Sequence, residues 1–363
     1  MVTPRSLVSP TTNPLLERAL HEKLQRRSEV GGHLGGLEPL AVRLGLMQNT
    51  LKPRFHQPQL LMFAADHGLA VEGVAQGPDR PTHDTVRMLL TRQLPMAVFA
   101  RAHDLELTVI DCGMASDMPA HDHLLMRKIA HATRNPRVKS AMSLEQAHAG
   151  MRAGMEIGDK LRGNATILAG VGVGSHESAA LVLARMSDCP LRDLIVSGPQ
   201  MDTALLDRAM TVLQAAQARH REVIDPVEVL AAFGGHEVAV MVGVMLMAAS
   251  KRHLLVIDGL PACAALMLAA RIAQPVTDYC VFTRSHSHRG LDQALNLFRA
   301  SAVLELGMES TDGTGATLAW PLLRCAAGLL TEVADGEDPG PSQPDGLVTL
   351  SPAETSLLGT PLY

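Results

Sequence analysis

The residues best placed to do chemistry lie together in Leu306-Gly307-Met308-Glu309-Ser310-Thr311-Asp312-Gly313-Thr314-Gly315-Ala316. Two carboxylates, Glu309 and Asp312, stand among glycines at the mouth of an apolar helical run, Ala316 to Leu330. A carboxylate held there could act as a general base. Gly313 and Gly315 would let backbone approach a ligand closely, and the N-terminus of the helix would suit an anion. Taken alone, the stretch fits a plainer reading better: Thr311 or Asp312 caps the helix and the glycines make the turn before it.

A second candidate is Gly170-Val171-Gly172-Val173-Gly174-Ser175. Its alternate glycines could turn backbone N–H groups of Gly172, Gly174 and Ser175 toward a phosphate, helped by the helix that follows. It could also be only a tight strand-to-helix turn. The G-x-G-x-x-G spacing of dinucleotide sites is absent, and no Lys-Ser or Lys-Thr follows as in a P-loop. Asp66-His67-Gly68, with Glu72-Gly73-Val74 after it, offers acid–base groups, or an Asx-type turn with its histidine satisfied by backbone. The chain has sixteen histidines, but no H-x-x-x-H or H-E-x-x-H. His121-Asp122-His123 and His286-Ser287-His288 are too few ligands alone, so no metal site is expected.

These residues need elements to position them. Six short apolar runs are visible: Leu60–Ala65, Leu107–Ile110, Thr166–Ala169, Leu194–Val196, Leu254–Ile257 and Tyr279–Thr283. Longer segments with helical spacing lie between them, among them Ser143–Leu161, Glu177–Met186, Thr203–His220 and Pro261–Ala273. Continuous apolar strands alternating with helices predict an α/β fold, a parallel six-stranded sheet covered by helices on both faces. Ligands in such sheets bind beyond the carboxyl ends of the strands. Asp66, Asp111, Gly170, Gly198, Asp258 and Ser285 should therefore share one rim. Asp258-Gly259 itself reads as a strand end with a purely structural turn.

Composition narrows the function. The 363 residues carry a net charge of −5, no basic block and few aromatic residues, which argues against nucleic acid as partner. The apolar run Val238–Ala249 is too short to span a bilayer, so no membrane role is expected. Five scattered cysteines without C-x-x-C spacing argue against disulfides and zinc, and read as small core residues in a reducing compartment. With no apolar core near the N-terminus to make a signal peptide, the expected location is the cytoplasm.

Taken in order, several segments resemble the nicotinate-nucleotide:dimethylbenzimidazole phosphoribosyltransferase family, from the lower-ligand branch of cobalamin assembly. They are Leu34-Gly35-Gly36-Leu37-Glu38-Pro39-Leu40-Ala41, Phe63-Ala64-Ala65-Asp66-His67-Gly68-Leu69-Ala70-Val71-Glu72-Gly73-Val74, Ala141-Met142-Ser143, Gly234-Gly235-His236-Glu237-Val238-Ala239, Ile257-Asp258-Gly259 and Asp312-Gly313-Thr314-Gly315-Ala316. The resemblance runs from about Leu34 to Leu330. It implies a Rossmann-like sheet with a small helical domain built from both chain ends, a homodimer, and no metal or redox cofactor. The implied reaction displaces nicotinate from nicotinate mononucleotide by a nitrogen of an aromatic base, with inversion at the ribose.

It further implies residue roles. Asp312 would accept the proton, with Glu309 as its substitute. Gly172, Gly174, Ser175 and Gly198 would hold the phosphate. Asp66, His67, Glu72 and Ala75 would shape the base side. The division implied is a flexible leader (1–13), the N-terminal part of the helical domain (14–58), an α/β substrate-binding domain (59–305), a catalytic-type loop with the C-terminal helix (306–333) and a tail (334–363).

The chain also departs from the family pattern. Asp312 stands where the family's Gly-Glu-Gly loop carries Glu, Gly170 replaces another Glu, and Ala75 replaces a Ser. Ser197-Gly198-Pro199-Gln200 lacks the family's Gly-Thr-Gly and Lys, and Ser285–Leu291 lacks its Glu and second His. Two functions fit: transfer to an altered aromatic acceptor, or a non-catalytic paralogue that binds a nucleotide or base in a sensing or regulatory role.

Overall fold

The structure is a computed structural model, and it describes residues 6–75, 80–195 and 202–333. Six parallel strands form one sheet: β1 (Gln59–Ala65), β2 (Glu106–Gly113), β3 (Leu124–Met126), β4 (Ala165–Val171), β5 (Leu254–Asp258) and β6 (Cys280–Thr283). Their order is β3-β2-β1-β4-β5-β6. Every residue of β1, β5 and β6 is buried. Successive strand side chains point to opposite faces, so burial of all of them means that both faces are covered.

Five of the six expected strands are present. The run at Leu194 is not one of them: Leu191–Leu194 is a short helix, and Val196 lies outside the described residues. Three apolar residues carry no periodicity that separates a strand from a helical turn. The sixth strand is instead β3, an edge strand paired with Val109–Asp111 of β2. Its three residues are strand only because β2 is beside them.

The expected helices appear as Leu144–Asp159, Ser175–Met186, Thr203–Arg219, His236–Ser250 and Leu260–Ile272. A capping box closes the first of these, with the Ser143 hydroxyl on the Gln146 N–H and the Gln146 side chain on the Ser143 N–H. The helices Leu144–Asp159 and His236–Ser250 touch backbone to backbone, because a Cβ on Gly154 would sit 2.0 Å from the Val240 carbonyl oxygen.

The first two helices meet the last described one. Helices Pro14–Gly31 and Leu37–Gln48 pack on the long helix Thr314–Thr331. The Phe55 and Trp320 rings lie 5.1 Å apart, and the Arg27 guanidinium donates to the Leu329 carbonyl. This packing brings the loop that precedes the long helix, with Asp312, to the carboxyl ends of β5 and β6.

All five cysteines are free. Cys112, Cys263 and Cys280 are core residues as expected, but Cys189 is half-buried and Cys325 is exposed. Among the described residues no helix is long and apolar enough to cross a membrane.

Candidate active site

The rim of the sheet gathers three segments distant in sequence. β4 runs through Gly170–Gly174 into the helix Ser175–Met186, and β6 leads into Ser285-His286-Ser287-His288. The third segment is the loop before Thr314–Thr331. It pairs with the second, since the Ser310 N–H donates to the Ser285 carbonyl and His286 bridges to Glu309 in antiparallel register.

Asp312 lies at their junction. Its side chain is only 2% exposed. His176 Nε2 is 3.1 Å from Asp312 Oδ2, and His286 Nε2 is 3.2 Å from Oδ1. The second contact is an ion pair without hydrogen-bond geometry, so Oδ1 has no directional partner. Burial opposes ionisation of Asp312, but the charge interaction and hydrogen bond with His176 and the ion pair with His286 override it and hold the carboxyl well below its usual range. Burial likewise depresses His286, yet Asp312 and Glu309 raise it to about 9. His288 has no such partners, and burial with two neighbouring imidazoles drives it down to about 3.

Glu309 is largely exposed, and its carboxylate accepts from the Ser287 N–H (3.1 Å) and the His286 ring (3.3 Å). It ties the two loops together. Beneath them Asp258 is fully buried and accepts from Thr283 Oγ1 (3.1 Å), Ser285 Oγ (3.0 Å) and the Ala316 N–H (2.8 Å). Burial and the nearby Asp312 charge push its pKa up to about 6. Gly259 is needed here: at φ +90° a Cβ would fall 2.1 Å from Asp312 Oδ2.

Neither Thr311 nor Asp312 caps the long helix. Its N-cap is Gly313, in the left-handed conformation and without a side-chain cap. The Gly315 N–H, offered by the sequence to a phosphate, donates instead to Ser285 Oγ at 2.8 Å. A Cβ on Gly315 would also meet the Arg284 carbonyl oxygen at 2.1 Å.

The glycine-rich turn lies beside β1. Gly172 passes so close to β1 that a Cβ would strike the Ala65 carbonyl oxygen, and Gly174 opens the next helix with φ +86° and no side-chain cap. Ser175 is buried, and its N–H donates to the Gly172 carbonyl at 3.2 Å. Gly198 lies outside the described residues.

On the other side of this turn, Asp66 accepts from Thr82 Oγ1 and from the Ala115 N–H, so it crosslinks loops. His67 is satisfied by a side chain and not by backbone, with Nε2 3.0 Å from Glu237 Oε1 in a fully enclosed pair. Glu72 is held by Asn135 and Arg137, both at 2.6 Å, and Ala75 is half-buried.

A family model described as a phosphoribosyltransferase matches residues 10–340. The chain belongs to this phosphoribosyltransferase family. A relative from Cupriavidus necator, named nicotinate-nucleotide--dimethylbenzimidazole phosphoribosyltransferase, is 40% identical over 332 residues, covering 90% of this chain and 96% of that protein. One of the same name from Variovorax paradoxus is 37% identical, covering 93% and 97%. The crystal structure of a Thermus thermophilus protein of that description superposes with TM-score 0.81 at 29% identity, covering 89% of this chain and 97% of the other.

Within this phosphoribosyltransferase the sequence points to Asp312 and Glu309 but misses their partners. His176 is hidden in the segment after the glycine-rich turn, among the other polar residues of the first turn of its helix, and carries no signal of its own. His286 and His288 are visible as an alternating pair, but nothing local links them to Asp312.

Proposed function

We propose that this chain transfers the ribose 5-phosphate of nicotinate mononucleotide to a nitrogen of a benzimidazole or related aromatic base. The observation that carries the reading is the Asp312–His176 contact on the rim of a phosphoribosyltransferase fold. The bond from ribose C1′ to the nicotinate nitrogen breaks while the bond from C1′ to the base nitrogen forms on the opposite face. The electron pair of the broken bond returns to the pyridine nitrogen and discharges its positive charge. The base N–H proton must leave, and it needs an acceptor within reach.

Asp312 is enclosed and meets imidazoles, so the proton is taken by His176, whose side chain is 18% exposed, and Asp312 stabilises the imidazolium that forms. With Nε2–H donating to Asp312, His176 presents Nδ1 as its lone-pair nitrogen, the logic of a carboxylate-backed imidazole base. Glu309 positions His286. With both ring nitrogens facing carboxylates, His286 is a fixed cation suited to an anionic substrate group.

The uncapped turn at Gly172, Gly174 and Ser175 forms the phosphate side. Glu72 and Ala75 line the base side, while Asp66 and His67 hold that loop in shape. The chain works as a homodimer in the cytoplasm, where its free cysteines stay reduced.

The test is incubation of purified protein with nicotinate mononucleotide and a panel of benzimidazoles, purines and phenols, read by mass spectrometry. A base–ribose phosphate adduct with one equivalent of free nicotinate is expected. Nicotinate without an adduct would mean that water is the acceptor. Bound mononucleotide without any product would mean that the chain is the non-catalytic paralogue.

A further inference from the structure

We infer that His176, His286 and Asp312 form a binding site for a divalent first-row transition ion of the zinc class. One ligand atom from each lies within 4.8 Å of the other two. Two ligands about 2.1 Å from a tetrahedral ion are themselves about 3.4 Å apart. The separations of Asp312 oxygens from His176 Nε2 and His286 Nε2 are 3.1 and 3.2 Å, so small side-chain shifts would complete the triangle. Two imidazoles and one carboxylate are the borderline donor set that such ions prefer, and they leave a fourth position for water or a ligand.

Three further observations support an ion. The His286 Nδ1 is 3.3 Å from Glu309 Oε2. Donation of Nδ1–H to that carboxylate fixes the tautomer and aims the Nε2 lone pair at Asp312, the outer-shell arrangement usual for metal-binding histidine. In the ion-free protein a proton on Nε2 makes His286 the cation described above, and a bound ion would take the place of that proton. Asp312 Oδ1 is buried and has no directional hydrogen bond.

Finally, His288 lies with its ring 5.8 Å from that of His176 and 5.7 Å from that of His286. It is buried, and Nδ1 accepts from the Leu291 N–H at 3.0 Å. Its proton must then sit on Nε2, which has no partner. Nε2–H cannot ligate, but it can donate to the water or ligand in the open position.

The site goes beyond the transferase reading. An ion would occupy the oxygens that otherwise take part in proton transfer, so the two uses of Asp312 exclude each other. The test therefore reads binding and not turnover. Tag-free protein is stripped with a chelator, then titrated with Zn2+ by calorimetry and with Co2+ by visible absorption. One equivalent of each is expected, with the d–d bands of four-coordinate cobalt displaced by Zn2+.

His286→Gln and His176→Gln should each abolish those bands, and Glu309→Gln should weaken binding about 10–100-fold. Circular dichroism and melting establish that each variant is folded, and the more exposed His286 serves if a change at His176 or Asp312 is not tolerated. Absence of stoichiometric binding, or bands that persist in the His176→Gln/His286→Gln double variant, would overturn the site. Either result would leave the transferase assay unaffected as a separate test.

Discussion

His176 Nε2 stands 3.1 Å from Asp312 Oδ2, although the two residues are 136 positions apart. If the pair moves one proton as a unit, its members cannot contribute independently. Asp312→Asn and His176→Gln should each lower kcat roughly a hundredfold or more with little change in KM. The double variant should fall no further than the worse single one. A double variant whose loss equals the product of the two would mean that the residues act separately.

Gly259 and Gly328 should respond oppositely to alanine. At Gly259 the new Cβ meets both a left-handed backbone and the Asp312 carboxylate, so Gly259→Ala should cost about 2–4 kcal/mol and displace Asp312. Gly328 lies inside the long helix, and a methyl added there would have nothing within 4 Å, so Gly328→Ala should add about 0.5–1 kcal/mol. Urea midpoints of the two variants check this.

Asp258 should matter for stability more than its place in a turn suggests. Three donors converge on its Oδ2. Asp258→Ala leaves the Ala316 N–H without its acceptor and loosens the start of the long helix, at a cost of roughly 3 kcal/mol. A melting temperature equal to that of the unaltered protein would show that the hydroxyls and water replace it.

The buried His67–Glu237 pair should give stability a pH slope. Burial by itself lowers His67, but the Glu237 charge and hydrogen bond override it and raise its pKa above the ordinary 6.5. The folded protein then holds this proton more tightly than the unfolded chain. The contribution is complete below about pH 6.5 and fades as pH rises through the higher folded value. Urea midpoints taken across this range should fall, and His67→Gln should flatten the decline. An unchanged slope in that variant would assign the effect to other groups.

The sequence by itself determined the sheet, the helices and most of the rim. Strands buried on both faces must be continuous apolar runs, and β1, β2, β4, β5 and β6 are legible for that reason. The polar residues that end such runs mark the ligand edge, which placed Asp66 and Asp258 on one rim, while the carboxylates and glycines before the last helix singled out the Asp312 loop. The sequence could not find β3, which is a strand only through its neighbour, or tell a helical turn from a strand at Leu194.

Tertiary structure alone decided which groups meet. β4, β5 and β6 are adjacent in the sheet, and packing of the long helix against the first two helices sets Asp312 over their ends. His176 and His286 thereby become its partners, and Gly315 becomes a packing residue. Local spacing encodes hydrophobic burial, which acts residue by residue along one element. The convergence of a carboxylate with two imidazoles depends on strand order and helix docking, which no single segment contains.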